Sequence, residues 1–141
     1  WTHPRFEGLL LEGLRSADPE VRPRLYAMLK ERYWESAQAQ AEAALLDAAG
    51  VPAVPDWIVT ELGAMGGEEA AKRLGKLLEL VSAERWELVA TAYARTGDPR
   101  AVRHFNRMRI LEKNETRRRL ARTLHNLAAA SKASREREAG D

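Results

Sequence analysis

The 141-residue chain is the size of one domain, and at 45% hydrophobic it can bury a core without covalent staples. It has no cysteine, which excludes disulfide frameworks, thiolate zinc sites and thiol nucleophiles, and its apolar runs fall far short of the ~18 residues of a membrane span. The net charge of +2 hides a division: residues 1–70 carry 6 Lys/Arg against 12 Asp/Glu, and residues 71–141 carry 17 against 9, an asymmetry that bears on partners rather than on fold.

Helical periodicity runs through the chain, and the alternating pattern of strands is missing. Phe6, Leu9, Leu10 and Leu14 make a short first helix. Asp18-Pro19 predicts the start of a second, with Asp18 as N-cap and Pro19 in the first helical position, where its missing N–H costs nothing. Val21, Leu25, Met28 and Leu29 form its apolar stripe, and Pro23 is a blemish inside it. An Ala-rich third helix is predicted over 33–49, stopped by Gly50 with Pro52 and Pro55 beyond. A short helix over 56–65 ends at Gly66-Gly67. Four more are predicted over 68–81, 83–95, 99–111 and 115–131. Residues 132–141 lack an apolar face and read as a polar C-terminal tail or linker after a domain spanning 1–131.

The segments repeat at an offset of 31 residues. Gly66 falls on Gly97, Ala70 on Ala101, Leu74 on Phe105 and Leu77 on Met108. The following helix continues the match: Glu84 on Glu115, Val89 on Leu120, Ala90 on Ala121, Tyr93 on Leu124. The first pair fits the same frame, with Arg22 over Arg117 and Leu25 over Leu120. Each pair presents an apolar face that it cannot bury alone, and stacking pairs buries those faces. The expected fold is therefore all-α, an α-solenoid of about four helix pairs, with a compact helical bundle as the alternative.

The stretch Thr96-Gly97-Asp98-Pro99-Arg100-Ala101-Val102-Arg103-His104-Phe105 resembles the start of a HEAT-like repeat of the short kind found in phycocyanobilin-lyase-type proteins, and Asp18-Pro19-Glu20-Val21-Arg22 resembles a second copy. The resemblance implies that the Asp caps a helix and that an Arg turns inward to bond the backbone between repeats. Arg22 and Arg117 hold that position on the apolar sides of their helices. The matching residue of the third repeat is Trp86, a departure. The resemblance implies a binding role, without choosing a partner.

Candidate chemistry is sparse. His3, His104 and His125 lack the i+3 or i+4 partners of a metal pair, so no metal and no cofactor is expected. Glu68/Glu69, Glu84/Glu87 and Glu112/Glu115 lie at helix starts and junctions, where negative charge complements the helix dipole, so they read as structural rather than catalytic. Gly63-Ala64-Met65-Gly66-Gly67 precedes a helix as a phosphate cradle does but lacks the lysine and hydroxyl of a phosphate loop. Trp86, with Val89 and Tyr93, reads as core. Trp57 falls away from Ile58 and Leu62 on its helix, which offers it as an exposed interface anchor, with packing against the third helix as the more ordinary role.

The basic half is the best functional signal. Helical spacing sets Ala101, Phe105 and Met108 opposite Arg100, Arg103 and Arg107. In the last helix Leu120, Leu124 and Leu127 face in, Arg118, Arg122 and His125 face out, and Arg119 lies beside them. The six arginines at 100, 103, 107, 118, 119 and 122 make a candidate patch for an acidic protein surface or for phosphates. Aromatic interleaving, which favours single-stranded nucleic acid, is missing from it. The expected function is a non-enzymatic scaffold or adaptor that binds another protein. Nucleic-acid binding through the basic half is the alternative, and an enzyme with an unrecognised site a third reading. Opposite charge at the two ends also permits head-to-tail self-association. With no cysteine, no secretory signal and no membrane segment, a cytoplasmic location is expected. The chain opens on Trp1 rather than Met, which reads as a processed product or a piece of something longer.

Overall fold

A computed structural model describes residues 4–16, 20–48 and 54–140. Among them the chain forms eight α-helices and no strand: α1 (Pro4–Ser16), α2 (Arg22–Arg32), α3 (Trp34–Ala48), α4 (Asp56–Met65), α5 (Gly67–Leu80), α6 (Ala83–Arg95), α7 (Pro99–Leu111) and α8 (Glu115–Gly140). They divide between two compact units, residues 1–51 and 52–141, where the sequence suggested one domain over 1–131.

In the first unit α1, α2 and α3 pack on one another around Leu10, Leu14, Tyr26, Leu29, Tyr33, Ala37, Ala41 and Leu45, all buried. The second helix begins later than its sequence suggests. Asp18 and Pro19 lie outside the described residues, and α2 starts at Arg22 after Val21. Pro23 therefore falls in the first turn, whose N–H groups have no intrahelical acceptor, and breaks nothing. Tyr26 and Leu29 are buried, while Val21, just before the helix, is exposed. Arg22 ties α2 back to the end of α1, its Nη2 donating to the Arg15 carbonyl at 3.0 Å. Lys30 sits over the rings of Tyr26 and Trp34, 5.5 and 5.9 Å from their centroids, close enough for a cation–π attraction.

In the second unit α4 packs on α6, and α6 on α8; α5 packs on α4 and α6 and touches α7; α7 and α8 pack closely against each other. The 31-residue frame is visible in what is buried. Ala70 and Ala101, Leu74 and Phe105, Ala90 and Ala121, and Tyr93 and Leu124 are all core. Two pairs diverge. Leu77 and Val89 are buried, but Met108 and Leu120 are only half-buried. Leu77 and Val89 belong to α5 and α6, which have α7 and α8 against them, whereas among the described residues no following helix pair covers Met108 and Leu120.

The turn from α6 to α7 shows why its residues take their order. Thr96 is fully buried, and its hydroxyl donates to the Tyr93 carbonyl at 2.6 Å. Gly97 has φ +67°, a conformation that costs an L-residue roughly 1–2 kcal/mol. Asp98 Oδ1 accepts from the Arg100 N–H at 2.9 Å, capping α7, with Pro99 next in line. A second demand on Gly97 comes from α8: a Cβ there would lie 2.7 Å from the backbone N of Lys132 and 2.8 Å from the carbonyl carbon of Ser131. In the same way a Cβ at Gly63 would lie 2.8 Å from the Ala92 carbonyl oxygen, so α4 and α6 touch backbone to backbone.

The last helix corrects the sequence reading of a polar tail. α8 continues through residues 132–140, and Arg135 on that extension is bound at its guanidinium. Its Nη2 donates to the carbonyls of Gly63 at 3.0 Å, Ala64 at 3.1 Å and Arg95 at 3.0 Å, and its Nη1 to Met65 at 3.4 Å. These are the orphan carbonyls at the C-termini of α4 and α6, where a cation also complements the helix dipoles. A tail without an apolar face is held by polar contacts instead.

Two substitutions test this packing. Gly97→Ala combines the left-handed backbone with a clash against the α8 backbone and is expected to cost at least ~2 kcal/mol in urea denaturation; an unchanged midpoint would show that α8 does not approach the turn. Arg135→Met keeps the stem and removes the bonds, with an expected loss of about 1–2 kcal/mol for a half-exposed group. Arg137→Met, two residues on and exposed, should stay within about 0.5 kcal/mol of wild type.

Candidate functional site

α6 begins, α7 ends and α8 begins at one end of the second unit. A cleft of about 370 Å³ opens there between Ala83 and Trp86 of α6, Met108 of α7, Glu112 of the turn, and Arg117 and Leu120 of α8. An adjoining lobe of about 470 Å³ shares Trp86, Met108 and Glu112 and adds His104, Arg107 and Leu111. The floor is apolar. Trp86 is half-buried and lines both lobes, so it is not the core residue its neighbours suggested; Val89 and Tyr93 take that role. Further apolar surface accompanies the same helix ends. Leu80, just before the α5–α6 turn, is 67% exposed, and Ile110 and Leu111, at the end of α7, are 63% and 67% exposed. Three large exposed apolar side chains at the turns of one end exceed the scattered single residues that need no explanation.

The turn between α7 and α8 is fixed by its polar residues. Asn114 Oδ1 accepts from the Arg117 N–H at 3.1 Å as the N-cap of α8. The Glu112 carboxylate accepts from the Asn114 N–H at 3.2 Å. The one acidic side chain of the cleft is thus engaged by the turn it follows, while both arginines of the cleft, Arg107 and Arg117, have no ion pair among the described residues. Arg117 does not bond the backbone between helix pairs as the repeat resemblance implies. It lies exposed on the cleft, opposite its repeat equivalent Trp86. In α6 the arginine that reaches neighbouring backbone stands one residue earlier: Arg85 donates to the Val54 carbonyl at 2.5 Å and to Asp56 at 2.8 Å.

The six arginines singled out by sequence separate into two groups. Arg100 is taken up locally, pairing with Glu68 at 3.1 Å and with Asp98 at 3.3 Å. Glu68, held by Lys72 first and by Arg100, ionises below the usual carboxylate range. Arg119 pairs with Glu115 one turn earlier at 3.0 Å, an exposed contact of small value. Arg103, Arg107, Arg118 and Arg122 are exposed and have no ion pair among the described residues. Arg117, at the start of α8, is likewise exposed and has no ion pair among the described residues. Trp57, the candidate anchor, is half-buried and its indole nitrogen is shielded from solvent, which leaves little of it to insert into a partner. In the glycine turn at 63–67 the carbonyls of Gly63, Ala64 and Met65 are taken by the cationic Arg135. Among the described residues no three His, Asp or Glu side chains gather to hold a metal ion.

His104 stands at the cleft wall with its ring edge-on to Phe105 and Tyr93, at centroid distances of 5.0 and 5.8 Å. Burial against those rings, and then the positive Arg107, push its pKa below the ordinary 6.5, with Glu79 opposing. The cleft residues Trp86, Met108, Leu111 and Arg117 were not legible as a site. The one available signal was the break that Trp86 makes in the repeat. Comparison with known protein families, curated proteins and solved structures finds no match to this chain. No described helix is long and apolar enough to cross a membrane.

The His104 environment is directly measurable. Its imidazole Cε1–H should titrate below pH 6.5 by NMR, and Arg107→Gln should raise the midpoint. Because the folded state binds this proton more weakly than the unfolded chain, the contribution to stability is complete above about pH 6.5 and is lost as pH falls toward the folded midpoint. A midpoint at or above 6.5 would contradict the packing of the ring.

Proposed function

We propose that the chain is a non-catalytic helical-repeat module that binds an acidic surface of another protein through α7 and α8. The observation that carries this reading is the adjacency, on the same packed helices, of an apolar cleft and the exposed Arg103, Arg107, Arg117, Arg118 and Arg122, which have no ion pair among the described residues. Apolar anchors with surrounding charge suit a protein interface: the anchors supply affinity, and the charges supply orientation and on-rate. Single-stranded nucleic acid is favoured by stacking platforms along a basic groove, and the basic face offers one half-buried indole. The succession of α4 on α6 and α6 on α8, with α5 touching α7, supports reading the second unit as stacked helix pairs of the HEAT-like kind.

The test replaces Arg103, Arg107, Arg118 and Arg122 together by Gln, at exposed positions where folding should be preserved. The wild-type chain is expected to retain a specific protein in affinity capture that the quadruple variant loses, and to show no micromolar binding to short generic DNA or RNA by fluorescence anisotropy. Tight nucleic-acid binding with a steep salt dependence, flattened by about one unit of slope per arginine removed, would move the reading to nucleic acid.

A further inference from the structure

We infer that the cleft between α6, α7 and α8 receives the apolar face of a short acidic amphipathic helix, with Trp86, Met108 and Leu120 seating its apolar side chain and Arg107 and Arg117 meeting its carboxylates. The inference rests on the protein-binding reading above and gives the partner a chemistry. Four observations lead to it. First, the two lobes of the cleft meet at Trp86 and Met108, so one continuous apolar floor runs between the end of α7 and the beginning of α8. A volume of several hundred Å³ matches the range of sites that take compact apolar groups.

Second, the charges on the rim select sign. Arg107 borders one lobe and Arg117 the other, so cations flank the floor on two sides. Neither is in an ion pair among the described residues. Among the described residues Glu112 is the only acidic one lining either lobe, and its carboxylate accepts from the Asn114 N–H. A segment carrying carboxylates on both sides of an apolar residue complements this arrangement. A basic segment or a bare anion does not, since the first is repelled and the second leaves the floor uncovered.

Third, the partner must satisfy its own backbone. The described residues contain no strand, so there is no sheet edge to pair with an extended peptide. A proline-rich helix is seated by several aromatic side chains, and among the described residues Trp86 is the only aromatic carbocycle lining the cleft. An α-helix brings its hydrogen bonds with it and lays an i, i+3, i+4 stripe into a groove between helices. Fourth, the exposed Leu80, Ile110 and Leu111 extend apolar surface at the neighbouring turns, as a helical stripe longer than one side chain requires.

The experiment uses the full chain, labelled for NMR, and follows the Trp86 indole N–H and the Met108 methyl signal. The probes are a panel of about 15-residue helical peptides, an order of length set by four turns, with Leu or Phe at i, i+4 and i+7 and Glu on the flanks. Controls are the same peptides with Lys for Glu and with scrambled order. Acidic members should shift both signals saturably, Lys and scrambled members should not, and Arg117→Glu should weaken binding on the order of tenfold. Because Arg117 and Arg107 are exposed, that variant and Arg107→Glu should keep the wild-type fold. Met108→Gln should weaken binding without altering the arginine-face signals.

Several results would overturn the assignment. An acidic peptide that binds while Trp86 and Met108 stay unchanged would place the site elsewhere and leave the acidic-partner reading standing. Equal binding of Lys and Glu peptides would remove the charge argument. Shifts of Trp86 and Met108 with protein concentration alone would make a second copy the occupant. Silence from every acidic peptide, together with an oligonucleotide that moves the arginine-face amides, would overturn both this inference and the reading beneath it.

Discussion

The C-termini of α4 and α6 meet at a single guanidinium. Four carbonyls from the two helices accept from Arg135, and they can do so only because the helices stand close enough to share one side chain. Gly63 against Ala92 sets that closeness, and Gly97 lets the α8 backbone approach the turn after α6. Each contact requires the others. Without Gly63, α4 would stand off and its carbonyls would leave Arg135; without Gly97, α8 could not bring Arg135 to them. Gly66, with φ +69°, belongs to the same arrangement, because a Cβ there would lie 2.5 Å from the Arg135 Cζ. Small residues thus do for this unit what large ones do elsewhere: they bring backbones close enough for polar groups to close the ends of the helices.

That closure occupies one end of α6, and the cleft occupies the other. The 13 residues between them span about 20 Å at the rise of an α-helix. At the closed end, carbonyls, a guanidinium, a buried threonine hydroxyl and an aspartate cap satisfy one another. At the open end, Trp86, Met108, Leu111 and Leu120 remain partly uncovered, and Arg107 and Arg117 have no ion pair among the described residues. Met108 and Leu120, the last apolar side chains of the 31-residue frame, have no further helix over them among the described residues. A rigid closed end also holds the three helices that form the open one, so the cleft is built on helices rather than on loops, which is where a binding geometry is best preserved.

Much of the fold was legible because local signals and the tertiary structure agree. Asp98-Pro99 marks the start of α7, and Gly66 and Gly97 mark turns with positive φ. α6 and α7 take the bounds that their periodicity indicates. The failures have specific causes. Pro19 and Pro23 are each acceptable in a first turn, and composition alone does not choose between them. The extension of α8 is polar on all sides, and hydrophobic periodicity is blind to a helix held by hydrogen bonds to carbonyls 40 and 70 residues away. The division into two units falls at a segment rich in Pro and Gly that also fits a long loop within one domain. Of the candidate site, the exposed arginines were read correctly as exposed, but pairing with Glu68 and Glu115 removes Arg100 and Arg119 from the free cations, and those pairings depend on packing that a single helix face does not reveal.

Trp86 and Arg117 occupy the same place in successive repeats, and they end up facing one cleft. Had Trp86 been an arginine, as the pattern around it implies, the cleft would hold two guanidinium groups over a small apolar floor and would suit a plain anion. Had Arg117 been a tryptophan, it would be an apolar slot with little preference for charge. The combination gives a floor and a rim of different character at a position where the repeat would otherwise duplicate a structural residue. One residue before Trp86, Arg85 reaches the Val54 carbonyl and Asp56. A change of residue at this partly uncovered face leaves the Gly63, Gly97 and Arg135 contacts at the other end of α6 in place.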